Sequence, residues 1–194
     1  MPSGNPGHDS DIWAGVRLGD EHAFGVLFNR YNGAVYNYAF RLTGSWADAE
    51  DLVAATFLTA WHRRATLDPA GDRLRPWLFS IVHNHARNHW RSARRLKAAI
   101  ARVHYNPPVD ASDDLVALLD DERQMAQVLS EIRALPRAER DTVALVVLGD
   151  LSYQDAADVL GIPLGTVRSR LARARERLRT QDYGSNRTGA TEWT

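Results

Sequence analysis

The stretch LSYQDAADVLGIPLGTVRSRLARARERLR (residues 151–179) decides the fold of the C-terminal part of the chain. Its apolar spacing predicts two amphipathic helices separated by Gly161-Ile162-Pro163. The residues expected to face inward are Ala156, Val159 and Leu160 in the first helix and Val167, Leu171 and Leu178 in the second. Glycine permits a tight turn between helices, and proline suits a helix start because it lacks an N–H there. The pattern predicts a helix-turn-helix.

The second of these helices has the residue types that read a DNA major groove. The candidates for contact are Gly165, Thr166, Arg168, Ser169, Arg170, Arg173 and Arg177. Small residues at the helix start allow close approach, and an arginine can donate two hydrogen bonds to a guanine edge. The later arginines, from Arg175 to Arg179, are better placed for phosphates. The alternative is a basic amphipathic helix on a helical bundle with no role in DNA binding. The Gly-Ile-Pro turn favours the helix-turn-helix over this alternative.

Charge is distributed unevenly although 24 basic residues balance 24 acidic ones. Residues 87–102 carry only basic charges, and residues 168–179 carry six arginines and one acid, Glu176. Between them lies an acidic stretch from Asp110 to Glu122. Two basic segments around an acidic one indicate nucleic-acid binding better than the net charge does.

The N-terminal part is also predicted to be helical. Apolar residues from Phe24 to Leu42 follow helical spacing, Gly44 is a plausible stop, and Ser45 with Asp48 resembles a capping box before a second helix. Residues 65–76 are predicted to be a loop, and a third helix follows from Trp77.

These patterns predict an all-α chain of two small helical domains joined by an acidic flexible linker. The first domain is expected at 10–97, the linker at 98–114, the second domain, with four short helices, at 115–180, and a disordered tail at 181–194. Pro107 and Pro108 exclude a helix within the linker.

Several classes of protein are excluded by composition. Without cysteine, the chain forms no disulfides, thiolate metal sites or cysteine nucleophiles. The N-terminus lacks the features of a signal peptide, and no stretch approaches the roughly 18–20 apolar residues of a membrane span. A soluble intracellular protein without membrane insertion is therefore expected.

Three stretches together resemble one family. DAEDLVAATFLTAW (48–61) resembles the region 2 helix that docks on the RNA polymerase clamp, RPWLFSIVHNHARNHWRSARR (75–95) resembles the region 2 segment that captures the promoter −10 element, and residues 135–178 resemble region 4, which reads the −35 element. In this order they resemble RNA polymerase sigma factors of the extracytoplasmic-function (ECF) type.

The resemblance implies a non-enzymatic transcription initiation factor that works in the cytoplasm without cofactor or metal. Its implied partners are core RNA polymerase (clamp and flap), promoter DNA and an anti-sigma factor. The implied polymerase contacts are Asp48, Asp51, Leu52, Ala55 and Leu58. The implied −10 contacts are Asp72, Arg73, Arg75, Asn84, Arg87, Asn88, Arg91, Arg94 and Arg95.

Some residues have two interpretations. Asp48 and Glu50 either attract a basic polymerase surface or only complement the helix dipole. Trp77 either packs in the core, which its position on the apolar stripe favours, or stacks on a base. Family members often have Gln-Glu where this chain has Ala54-Ala55, so polymerase contact is expected to depend on Asp51 and Leu58.

Two other functions are suggested by parts of the sequence. His83, His85 and His89 could suggest a metal enzyme, but no glutamate accompanies them; His85 and His89 fall near the apolar stripe, and His83 is expected to face solvent or DNA. A helix-turn-helix regulator that binds DNA without polymerase is the nearer alternative, and it would need a sensory pocket in the first domain.

Overall fold

The computed structural model describes residues 8–66, 73–100 and 113–188, with side chains described for 8–66, 73–91 and 120–180. Its helices are α1 (Asp9–Arg17), α2 (Glu21–Thr43), α3 (Trp46–Arg63), α4 (Leu74–Ile100), α5 (Asp113–Ala134), α6 (Arg137–Val143), α7 (Tyr153–Leu160) and α8 (Leu164–Thr188). The chain divides into two compact units, Met1–Glu122 and Arg123–Thr194. The predicted all-α class with two helical domains is confirmed.

In the first unit, α2 is the central helix and packs against α1, α3 and α4. Its predicted stripe is buried, with Leu27, Val35 and Leu42 fully enclosed. The ring of Tyr38 stacks on Phe79 of α4 with centroids 4.6 Å apart. Because aromatic side chains bury the largest apolar areas, this pair contributes strongly to the core that holds α2 and α4 together.

The junction of α2 and α3 follows the predicted end and start signals, with one difference. Gly44 ends α2 in the left-handed region at φ 72°, and the Ser45 hydroxyl accepts a hydrogen bond from Asp48 N at 3.3 Å. The reciprocal half of the capping box is not formed. Ser45 N donates instead to Thr43 Oγ1 at 3.4 Å, and the Asp48 carboxylate lies 3.3 Å from His89 Nε2.

Helix α1 was not predicted from the sequence. It is short, and its buried residues Ile12, Trp13 and Val16 cover too little of a periodic stripe to be distinguished from a loop. Tertiary contacts stabilise it: the Asp9 carboxylate pairs with Arg30 at 2.8 Å and accepts a hydrogen bond from the Tyr31 hydroxyl. Burial, and then the neighbouring Asp9 carboxylate, raise the pKa of Tyr31.

The second unit is built around α8, which packs against α6 and α7. Its buried face is formed by Val167, Leu171 and Ala174. Helix α6 continues into a π-helical turn, Ala144–Leu148, where Gly149 N donates to Ala144 O at 2.9 Å. Hydrophobic periodicity does not reveal such a turn, because it is only five residues long and the helix ends at Gly149 directly after it.

The predicted helix-turn-helix has the expected local geometry. Ser152 caps α7 by accepting a hydrogen bond from Asp155 N at 3.0 Å. Gly161 adopts φ 64°, a conformation that glycine reaches without steric cost. Pro163 precedes the first residue of α8, and its carbonyl accepts from Thr166 N at 2.9 Å. The turn therefore brings α7 and α8 into contact.

The Ser152 cap of α7 is expected to contribute to the stability of the second unit. We expect Ser152→Ala to lower the free energy of unfolding by about 1 kcal/mol, because the Asp155 N–H loses its acceptor. Urea unfolding followed by circular dichroism measures the change. Ser130→Ala is the control, since Ser130 is an exposed position within α5. Equal stability of the Ser152 variant and the wild type would contradict this account of the cap.

Three boundaries differ from the sequence prediction. Helix α8 runs to Thr188, so the first part of the predicted disordered tail is helical, because extending an existing helix needs no new nucleation. Both ends of the predicted linker are also helical, to Ile100 and from Asp113; residues 101–112 lie outside the described residues. Of the four helices after the linker, the first and last are long rather than short.

No helix among the described residues combines the length and apolar character needed to cross a membrane.

Candidate nucleic-acid and protein interfaces

The exposed face of α3 contains most of the predicted polymerase contacts. Asp51 and Ala54 are exposed, Ala55 is half-buried, and Leu58 is 57% exposed. These positions recur at three- and four-residue intervals, so they form one continuous stripe along the helix. A stripe with a carboxylate at one end and an exposed leucine at the other suits a protein partner with a basic, partly apolar surface.

Two predicted polymerase contacts have other environments. Leu52 is only 5% exposed, because it lies on the inward face of α3 with Ala49 and Val53, and it is poorly placed to touch a partner. Asp48 is half-buried and is paired with His89 of α4. Asp48 therefore joins two helices of the unit in addition to lying in the first turn of α3.

An apolar groove continues the α3 stripe onto α2. It is lined by Glu21, Phe24, Phe28, Phe57, Leu58 and Trp61. Phe28 packs against Phe57 with centroids 4.7 Å apart, and it is 37% exposed. Helical spacing predicts that Phe28 lies on the apolar stripe of α2, but it does not predict that Phe28 is exposed. The apolar arc of α2 is wider than the helices packed on it cover.

The predicted −10 contacts lie mainly on α4. Asn84, Asn88 and Arg91 are exposed and Arg87 is half-buried, so these four share an accessible face of the helix. Arg73 and Arg75 are half-buried, and the Arg75 guanidinium lies 5.1 Å from the ring centroid of Phe79. Asp72 and the side chains of Arg94 and Arg95 lie outside the described residues.

Trp77 is half-buried in the first unit. Its ring meets that of Trp13 at 4.7 Å between centroids in an edge-on arrangement. The core-packing interpretation of Trp77 is supported by this contact, which joins α1 to α4.

The three histidines of α4 have separate partners. His83 is 3% exposed and its Nδ1 lies 3.4 Å from the Tyr38 hydroxyl, so the prediction that it faces solvent or DNA is wrong. His85 Nε2 lies 2.9 Å from Thr59 Oγ1, and His89 pairs with Asp48. Among the described residues, no three His, Cys, Asp or Glu side chains are placed to hold one metal ion.

Protonation of His85 is expected to destabilise the fold. Burial, and then the nearby Arg63, lower the pKa of His85. Because the folded state binds this proton less readily than the unfolded state, the His85 contribution is present above the unfolded pKa of about 6.5 and is lost as the pH falls below it.

The expected loss can be measured by urea unfolding at about pH 7.5 and about pH 5.5. His85→Gln should lose less stability between these two values than the wild type, whereas His62→Gln, at an exposed position of α3, should behave as the wild type. If the free energy of unfolding of His85→Gln depends on pH as strongly as that of the wild type, His85 is not the source of the pH dependence.

The N-terminal half of α8 presents most of the predicted −35 contacts. Gly165, Arg168, Ser169, Arg173 and Arg177 are exposed, and Thr166 and Arg170 are half-buried. The Ser169 hydroxyl donates to Thr166 O at 3.0 Å. Since Val167, Leu171 and Ala174 occupy the opposite face, the helix is held by its apolar side while its polar side remains accessible to a DNA groove.

Two of these arginines share one acidic neighbour that sequence reasoning missed. Glu139 of α6 lies 3.9 Å from Arg173 Nε and 3.0 Å from Arg177 Nε. A glutamate in the first turn of a helix is normally explained by the helix dipole. Only the packing of α6 on α8 reveals that Glu139 faces the arginines.

Family models match both parts of the chain. Sigma-70 region 2 matches residues 27–96, and Sigma-70 region 4 matches residues 125–178. The first match covers most of α2 together with α3 and most of α4, and the second covers the helix-turn-helix with the helices before it.

Known proteins are similar over most of their length. The ECF RNA polymerase sigma factor SigL of Mycobacterium tuberculosis is 31% identical over 84% of this chain and 91% of its own. The solved structure of CnrH in complex with the cytosolic domain of CnrY is 28% identical with a TM-score of 0.66, covering 91% of this chain and 97% of CnrH. The structure of the sigma factor RpoE with the anti-sigma factor NepR from Bartonella quintana is 27% identical with a TM-score of 0.57, covering 81% and 94%. The chain belongs to the ECF family of RNA polymerase sigma factors, which direct promoter-specific transcription initiation.

Proposed function

We propose that this sigma factor acts without catalysis of its own, through one interface with polymerase and two with promoter DNA. The first domain (10–97) binds core polymerase and the −10 element, the second (115–180) reads the −35 element, and residues 98–114 connect them. Requiring two weak contacts at a fixed spacing gives more specificity than either contact alone. Its site of action is the cytoplasm, where core polymerase and promoter DNA meet.

The main support for the proposal, and for the −35 assignment in particular, is that α8 is buried on one face and polar and exposed on the other. Arg168 and Ser169 are exposed next to the fully buried Val167, so the helix can enter a major groove without disturbing its own core. Thr166 and Arg170 flank these positions. Arginine in such a position discriminates guanine by donating two hydrogen bonds.

The −10 assignment rests on the accessible face of α4. Asn84 and Asn88 offer amide groups that hydrogen-bond to bases, and Arg87 and Arg91 offer charge for the phosphates of a melted strand. Arg75 lies in the first turn of the same helix and Arg73 directly precedes it, and Asp72 is their neighbour in the sequence. Arg94 and Arg95 continue the run of basic residues in the sequence.

The polymerase assignment rests on the exposed stripe of α3 together with its apolar groove. Asp51 would meet a basic surface of the clamp and Leu58 would provide the buried anchor, with Ala55 at the edge. Region 4 is expected to contact the flap. An anti-sigma factor is a further expected partner, because CnrH and RpoE, to which this chain is similar, were solved with CnrY and with the anti-sigma factor NepR.

Run-off transcription from fragmented DNA of the source genome tests the proposal. Core polymerase with this protein should give discrete transcripts that share a two-part upstream element, and core alone should not. If folded protein gives no new transcripts, a core pull-down separates failed docking from a regulator that binds DNA alone. Tight, specific promoter binding without polymerase would favour the regulator.

A further inference from the structure

Glu139 is a buried carboxylate in the region 4 unit. Its side chain is 7% exposed, and it occupies the third position of α6. Glutamate at this position often accepts a hydrogen bond from the N–H of the capping residue. Here the capping residue is Pro136, which has no N–H. The carboxylate is therefore available to another element, and a buried charge requires such a partner.

That partner is α8, through two arginines one helical turn apart. Oε1 lies 3.9 Å from Arg173 Nε, and Oε2 lies 3.0 Å from Arg177 Nε. The N–H of Arg177 is not aligned well enough for a hydrogen bond to Oε2, so the contact is an ion pair. In both arginines, Nε is the guanidinium nitrogen that the ion pair joins to Glu139.

The outer edge of each guanidinium remains available. The arginine side chains are 61% and 55% exposed, and among the described residues the ion pairs with Glu139 are the contacts that these two side chains make. A guanidinium held at Nε still has its two terminal amino groups, which can bind phosphate in a bidentate manner. Holding the inner edge restricts the side chain before DNA arrives, which reduces the ordering cost of binding.

We infer that Glu139 is a positioning residue for −35 recognition: it orients Arg173 and Arg177 so that their terminal amino groups meet the DNA backbone. This inference rests on the proposed function of α8. Removing a negative charge beside DNA ordinarily strengthens DNA binding, and the inference predicts the opposite effect for Glu139. If the carboxylate orients the arginines, its removal weakens binding instead.

The test is the affinity of holoenzyme for a labelled duplex of a promoter found by run-off transcription. Glu139→Gln should lower this affinity about 3- to 10-fold, although the variant is more positive by one charge. Glu131→Gln is the matched control, since it makes the same charge change at an exposed position of α5, and its affinity should be unchanged or slightly higher. Circular dichroism and thermal unfolding establish that both variants are folded.

A double-mutant cycle separates positioning from general stability. Arg177→Ala should weaken promoter binding in the wild type and have a smaller effect in the Glu139→Gln background, because both changes remove the same contact. Tighter binding by Glu139→Gln, or additive effects, would overturn the inference. If neither Arg168→Ala nor Glu139→Gln changes promoter binding, the proposed role of α8 has failed. If Arg168→Ala weakens binding and Glu139→Gln does not, only the positioning role of Glu139 has failed.

Discussion

Holoenzyme containing Arg168→Ala should lose discrimination at one or two base pairs of the −35 element. Arg168 is exposed on the second turn of α8, immediately after the buried Val167 that fixes the helix on its domain. A bidentate arginine–guanine contact contributes about 1–3 kcal/mol of discrimination. The affinity ratio between the native and the substituted base pair should therefore fall about 5- to 150-fold.

The measurement is the affinity of holoenzyme for a series of promoter duplexes, each with one −35 base pair changed. Arg175→Ala is the matched control, because Arg175 is exposed further along the same helix and is expected to contact phosphate. It should weaken binding to every duplex by the same factor and reduce the salt dependence by about 0.9. Identical profiles for the two variants would mean that the assumed register of α8 in the groove is wrong.

The sequence predicts the helix-turn-helix well because its signals are local. Ser152 and Gly161 act on backbone groups within a few residues, and the buried Val167 and Leu171 follow helical period. Each of these features depends on its immediate neighbours along the chain. A single sequence therefore contains nearly all of the information that positions α8 on α7.

The sequence predicts a residue's exposure less well where tertiary contacts determine whether its side chain is buried. Leu52 and Leu58 are both apolar residues of α3, yet one is 5% and the other 57% exposed; the difference depends on which arc of α3 its neighbours cover. His83 is polar, but its contact with Tyr38 of α2 makes a buried position tolerable. Neither outcome can be obtained from periodicity alone.

Glu139 shows the same limit at the candidate DNA interface. More than thirty positions along the chain separate it from Arg173, so no local pattern links the two residues. The arginines themselves were identified because their type and spacing suit DNA. The acid that faces them becomes visible only when α6 and α8 are packed together.

Replacing Leu58 with aspartate should greatly reduce binding to core polymerase. Leu58 is 57% exposed at the edge of the groove that Phe28 and Phe57 line. Leu58 and the partly exposed Phe28 form an apolar surface that a partner can bury, and truncating the central residue of such a surface can cost about 2 kcal/mol or more. A charge at this position should lower core affinity at least about 30-fold, while the fold is preserved because the side chain already faces solvent.

Leu18→Asp is the matched control for this experiment. Leu18 is 90% exposed on the turn between α1 and α2, so it undergoes the same chemical change on the same unit without belonging to the groove. Its core affinity, measured by fluorescence anisotropy with labelled protein, should equal that of the wild type. Because Ala54 and Ala55 offer no polar groups to the partner, the apolar anchor should matter more here than in family members with Gln-Glu. Wild-type affinity of Leu58→Asp would show that Leu58 is not the anchor, and Asp51 would then be the residue of the α3 stripe to test next.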